Sequence, residues 1–396
     1  MRDFTGAHDR ARQVGGIVLA VIAGVAIGAM VTGKDDPARV IPAGAAAPSP
    51  RPPRDPVQLM LSRQAAALNR GDLTGWLAPV SPALRPRYQN FFRTLRALDA
   101  TVDYRAGKNG RVELTYCFIR PKCPLNSPKI QQKLTMKAGA ITGLATALGP
   151  EPPPWLQGDL TFARGRRVTV GAPASLRTRL PEIVKIADQA AAIDDRYAAL
   201  ADNRQPRYRL FLATDKTWRT WYGGKATEWA VGYMQPLGAA GADVVINPRR
   251  LPTRAALREV IQHELAHVAT ISGVQTRHED MWLVEGVAEY IGMQPRRAND
   301  TYSKWALRRP TELNPPPLPD GAGEKDVAAF YAEGHFAVDC LVTHYGEPRA
   351  MEFVRLRLRL GNSLDVAARS VFGKPFSAVD KTCVDWIGNL FVTRRT

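Results

Sequence analysis

Residues 254–271 read RAALREVIQHELAHVATI, and this stretch decides the fold. Val260, Ile261, Leu265, Val268 and Ile271 surround a polar centre, the pattern of a helix packed in a core. That centre is His263-Glu264-Leu265-Ala266-His267, an H-E-x-x-H pattern. Residues at i and i+4 share one helix face, so both imidazoles can hold one ion. Glu264, from the same turn, is placed to act as a general base. The alternative is a core helix with two incidental histidines. The chain holds only six histidines, which weighs against a chance pairing around a glutamate.

A second segment follows: Trp282-Leu283-Val284-Glu285-Gly286-Val287-Ala288-Glu289-Tyr290. A catalytic zinc takes three protein ligands and keeps one open position. Glu285 is the candidate third ligand, which gives one Zn2+ held by His263, His267 and Glu285. Glu289 lies one helical turn on, where it can accept the free ring N–H of a ligating histidine.

Together, HELAH and WLVEGVAEY resemble the zinc helix and glutamate helix of the gluzincin peptidases, notably the peptidase-MA-like group and the M1 aminopeptidases. The resemblance spans residues 206–346. It implies His263, His267 and Glu285 as zinc ligands and Glu264 as base. It also implies that Asp243, Val244, Val245, Ile246 and Asn247 form an edge strand that pairs with extended substrate. Phe330-Tyr331-Ala332-Glu333-Gly334-His335 is similar to the Y-x-x-G segment of these enzymes, which implies Tyr331 as a donor to the oxyanion. A packed tyrosine is the alternative. His335, one turn on, reads as a structural histidine, and His278 in TRHED reads as exposed. No G-A-M-E-N-type exopeptidase signature precedes the zinc helix, which puts aminopeptidase activity in doubt.

Outward from this centre, residues 14–33 (VGGIVLAVIAGVAIGAMVTG) are uncharged and about the length that crosses a bilayer. Arg2, Arg10 and Arg12 precede them, so the positive-inside rule keeps residues 1–13 in the cytoplasm. The expectation is a single-pass cell-membrane protein with its folded domains outside the cytoplasm. Cleavage of the segment as a signal peptide would instead secrete the protein. Residues 34–56 are rich in Pro and Ala and read as a spacer.

Residues 57–149 begin with two helical segments and continue with the strand-like runs ATVDYRA, GRVELTYCFI, KIQQKLTMKA and AITGLATAL. Helices before strands point to a small α+β unit. Its order, with AAALNRGDLTGWLAPV, resembles NTF2-like domains. Glu151-Pro152-Pro153-Pro154 marks the boundary, and residues 150–396 form the expected metallopeptidase domain.

Lys and Arg number 54 against 37 Asp and Glu, a formal net charge of +17. Such a surface suits contact with anionic lipid headgroups or acidic envelope polymers, or is simply solvated. Nucleic acid is not an expected partner, because no helix-turn-helix, zinc-finger or RRM-like signature occurs. Cys117, Cys123, Cys340 and Cys383 lack zinc-type spacing. In an oxidising compartment the pairs 117–123 and 340–383 are candidate disulfides, with buried free thiols the alternative.

The expected architecture is therefore α+β: a transmembrane helix, an NTF2-like α+β domain, and a zincin-like domain with a mixed sheet and a mostly helical C-terminal part. The expected function is zinc-dependent hydrolysis of peptide or protein substrates. The alternatives are a non-catalytic envelope module built on a peptidase-like scaffold, and a zinc hydrolase acting on another amide or ester.

Overall fold

The computed structural model describes residues 55–145, 152–157, 159–224, 230–319 and 321–392. It is mixed α+β with two sheets. The first unit opens with helices α1 (Pro56–Arg70), α2 (Leu73–Leu77) and α3 (Arg85–Ala97). Asp55 caps α1 by accepting from the Val57 N–H, Pro56 stands in its first turn, and Gly71 ends it in a left-handed conformation. An antiparallel meander follows, with strands β1 (Ala100–Ala106), β2 (Arg111–Phe118), β3 (Lys129–Lys137) and β4 (Ala140–Ala145) in that order.

The second sheet holds β5 (Leu160–Arg164), β6 (Val168–Pro173), β7 (Tyr208–Leu212), β8 (Gly232–Pro236) and β9 (Ala242–Ile246). Its spatial order is β5-β6-β7-β9-β8. Strands β6, β7 and β9 run parallel, while β5 and β8 are antiparallel to their neighbours. Between β6 and β7 comes helix α4 (Leu180–Leu200). After β9 come α5 (Arg254–Ile271), α6 (Met281–Gly292), α7 (Glu324–Tyr345), α8 (Glu347–Val354), α9 (Leu364–Phe372) and α10 (Phe376–Val392).

Every residue of β7 and β9 is buried, as expected of strands covered on both faces. Alternation assigns the faces. Leu210, Leu212, Val244 and Ile246 join the core formed with α4 and α5. Phe211, Tyr233 and Val245 point the other way and share a core with the first unit. The second sheet is thus a wall with the α5 core on one side and the first unit on the other.

A polar cluster fixes this junction. Arg209 Nε donates to Asp243 Oδ1 at 2.6 Å, and Tyr222 donates to Asp243 Oδ2 at 2.6 Å. The Arg209 guanidinium lies 3.8 Å from the centre of the Phe118 ring of β2. Disulfides join Cys117 to Cys123 and Cys340 to Cys383, the second tying α7 to α10.

Two expectations are corrected. The membrane-spanning helix over residues 14–33 lies outside the described residues, as do the tail before it and nearly all of the spacer. Among the described residues no helix is long and apolar enough to cross a membrane. The long helices carry charge along their length, as α4 does with Glu182, Lys185, Asp188, Asp194 and Asp195. The single-pass anchor and the membrane localisation built on it are therefore dropped. The second correction concerns the edge strand. Asp243–Asn247 does not form one, because β9 pairs with β7 on one side and β8 on the other. The Asp243 side chain is consumed by Arg209 and Tyr222, and Asn247 donates to Asp215 Oδ1 at 2.8 Å. Among the described residues the edge strand on that side is β8.

Candidate metal centre

The site is built on α5, α6 and α7. Thr253 starts α5 by accepting from the Ala256 N–H. Nearly three turns on, His263 and His267 project from one face. Their Nε2 atoms are 3.0 Å apart, and each lies 3.4 Å from Glu285 Oε2 on α6. All three residues are at most 1% exposed. Their ligand atoms fall within 4.8 Å of one another, a cluster able to hold a metal ion. Two ligands 2.0–2.1 Å from a tetrahedral zinc stand about 3.3 Å apart, so the observed edges fit that ion.

Electrostatics agree with a site that wants a cation. Burial pushes the Glu285 carboxyl up, but the two imidazoles outweigh it and hold the group at about 2. Burial pulls His263 down, yet hydrogen bonds to Glu285 and Glu289 lift it to about 10. His267 remains below its ordinary value, because burial dominates there. The pair thus sits beside the ionised Glu285 in a buried pocket that favours positive charge.

Glu289 stands one turn beyond Glu285, with Oε1 3.1 Å from His263 Nδ1. Tyr302, in the loop before a short helical turn at Ser303–Ala306, hydrogen-bonds Glu289 through its side chain. The line Tyr302–Glu289–His263 therefore sets the orientation of one imidazole. Nothing in the sequence of Tyr302 marks it for this role; only the folded loop brings it there.

Close backbone approach makes the convergence possible. At Gly286 a Cβ would lie 2.4 Å from the Gly334 carbonyl oxygen, and at Gly334 one would lie 2.5 Å from the Trp282 carbonyl oxygen. Helices α6 and α7 thus cross in backbone contact beside Glu285. At Gly292 a Cβ would sit 2.9 Å from His263 Cβ, which closes α6 on α5. Gln262 Nε2 donates to the Ile291 carbonyl at 2.6 Å and ties the same two helices.

Glu264 is fully buried beside the sheet edge. A Cβ on Gly232 of β8 would come 2.7 Å from Glu264 Oε1, so only glycine leaves room for this carboxylate. The ladder with β9 fixes which β8 groups face outward. Asn247 donates to the Val231 carbonyl and Leu237 donates to Gly241, so Val231, Tyr233, Gln235 and Leu237 face β9. By alternation, Gly232 and Met234 direct their backbone groups to the outer edge.

Tyr331 on α7 stacks against His263 at 18° with ring centroids 6.1 Å apart. Burial, reinforced by Glu285 and Glu264, raises its hydroxyl well above the ordinary range, so it stays protonated and can donate. His335 lies away from the triad, with Nδ1 3.0 Å from Ser303 Oγ. Burial depresses it to about 4, which keeps it neutral. His278 is exposed in a turn. No protein-family model matches the chain, and no curated protein matches it.

Proposed function

We propose that this chain is a zinc-dependent hydrolase that cleaves peptide bonds. One observation carries the reading. His263, His267 and Glu285 converge on a point beside Glu264, and Glu264 lies against the outermost described strand of the sheet on that side. The resemblance of both motifs to gluzincin peptidases supports it.

His263, His267 and Glu285 would hold the ion. When bound, zinc lowers the pKa of a coordinated water and polarises a carbonyl oxygen. An extended peptide adds to β8 through the outward-facing groups of Gly232 and Met234. That pairing carries a scissile bond past Glu264, because Gly232 and Glu264 are in contact. Glu264 takes the proton from the attacking water and returns it to the departing amine nitrogen. Tyr331, protonated at neutral pH, donates to the carbonyl oxygen as negative charge develops there.

The test uses the purified full chain. Metal content is measured by mass spectrometry, and cleavage is read on a peptide library with ester and amide substrates in parallel. Wild type should carry one zinc and cleave peptides. Glu264→Gln should keep the metal and lose at least ~10²-fold in rate. Cleavage by that variant at the wild-type rate would overturn the assignment. Turnover of esters or small amides alone would move the substrate class.

A further inference from the structure

A cavity of about 300 Å³ lies at the end of the second sheet where β7 and β9 begin, and none of the triad residues lines it. Five parts of the chain meet there: the Cys117–Cys123 loop, the segment entering β7, the β8–β9 turn, the end of α5 and the turn carrying Arg359. Five arginines line it, Arg120, Arg204, Arg207, Arg209 and Arg359. No carboxylate lies among its described lining residues.

Among the described residues, Arg209 alone of the five forms an ion pair. Arg209 pairs with Asp243 behind the wall. Arg207 donates to the Gly165, Val168 and Arg166 carbonyls, and Arg359 donates to those of Thr270 and Ser272. Such bonds fix a guanidinium without cancelling its charge. Arg120 and Arg204 are exposed, and neither forms an ion pair among the described residues. Holding several like charges around one small space costs free energy unless an anion enters. Burial lowers both Arg207 and Arg359.

We infer that this cavity is a second ligand site, which takes a small polyanion bearing phosphate or carboxylate groups. The guanidinium fork matches both oxyanions in bidentate geometry. At roughly 30 Å³ per water, the space equals about ten waters, enough for a few such groups and no folded partner. Because its walls come from both units, a bound anion also bridges them. The inference does not depend on the hydrolase reading.

The experiment titrates inorganic pyrophosphate and citrate into the full-length protein by calorimetry, at low and moderate salt. Saturable binding that weakens with salt is expected, and the tighter of the two probes identifies the oxyanion class. Arg120→Ala/Arg204→Ala should weaken it by ~10-fold or more, since charge-assisted bonds are lost. Both positions are exposed, so the variant's thermal melt should match wild type. The variant also separates this site from chelation at His263, His267 and Glu285, which it leaves intact. Absence of saturable binding for both probes, or equal binding by the variant, would overturn the inference.

Discussion

Glu289 Oε1 sits 3.1 Å from His263 Nδ1, on the side of the ring opposite the nitrogen that faces Glu285 and His267. The carboxylate therefore selects the tautomer that leaves Nε2 free to ligate. Glu289→Ala should weaken metal binding by ~10–100-fold while Glu264 remains in place. Competition against a chromogenic chelator measures the change. Unaltered affinity would mean that Glu289 only packs.

The crossing of α6 and α7 depends on two missing side chains. Gly286→Ala puts a methyl group 2.4 Å from a backbone oxygen, which cannot rotate away. The helices must separate, at a cost of about 1–3 kcal/mol. Because Glu285 is the adjacent residue, metal affinity should fall along with the urea midpoint. Gly334→Ala should behave alike.

Tyr331 offers a cleaner separation of roles. Its ring stacks on His263 and its hydroxyl stays protonated. Phenylalanine preserves the stacking and removes only the donor. Tyr331→Phe should retain metal and fold but lose ~10²-fold in kcat, with little change in KM. Unchanged kcat would leave Tyr331 as a packing residue.

His335 makes the fold acid-sensitive. Its folded value of about 4 lies below the ordinary 6.5, so the unfolded chain binds the proton first as pH falls. Stability therefore declines below pH 6.5, by about 2 kcal/mol between pH 7 and pH 5 from this group. Metal-free protein should be used, so that metal release does not add to the slope. Urea unfolding of wild type and His335→Gln at both pH values checks it: the variant should show a shallower loss.

Much of the centre is legible in the sequence because its geometry is local. His263 with His267, and Glu285 with Glu289, are each i and i+4 on one helix, so periodicity places them. The break at Gly71 follows from backbone chemistry. What escaped is non-local. Strand β8 reads GYMQP, bracketed by Gly and Pro, and gives no strong strand pattern. The edge position given to 243–247 rests on the resemblance alone. The order of strands across a sheet is set by packing, and no periodicity encodes it. The Arg209–Asp243–Tyr222 cluster and the Tyr302–Glu289 contact likewise join residues that only the fold brings together.

The double burial of β7 and β9 bears on how the polypeptide can be divided. Removing the first unit would strand Phe211, Trp218, Trp221, Tyr233 and Val245 on an uncovered apolar face. A face of that kind drives association between copies. A shortened polypeptide beginning after the first unit should aggregate on expression even with its metal ligands intact. Any biochemical study of the centre thus has to carry residues 55–145 with it, and loss of that region in a mutant would silence the chemistry through insolubility, without touching one reacting group.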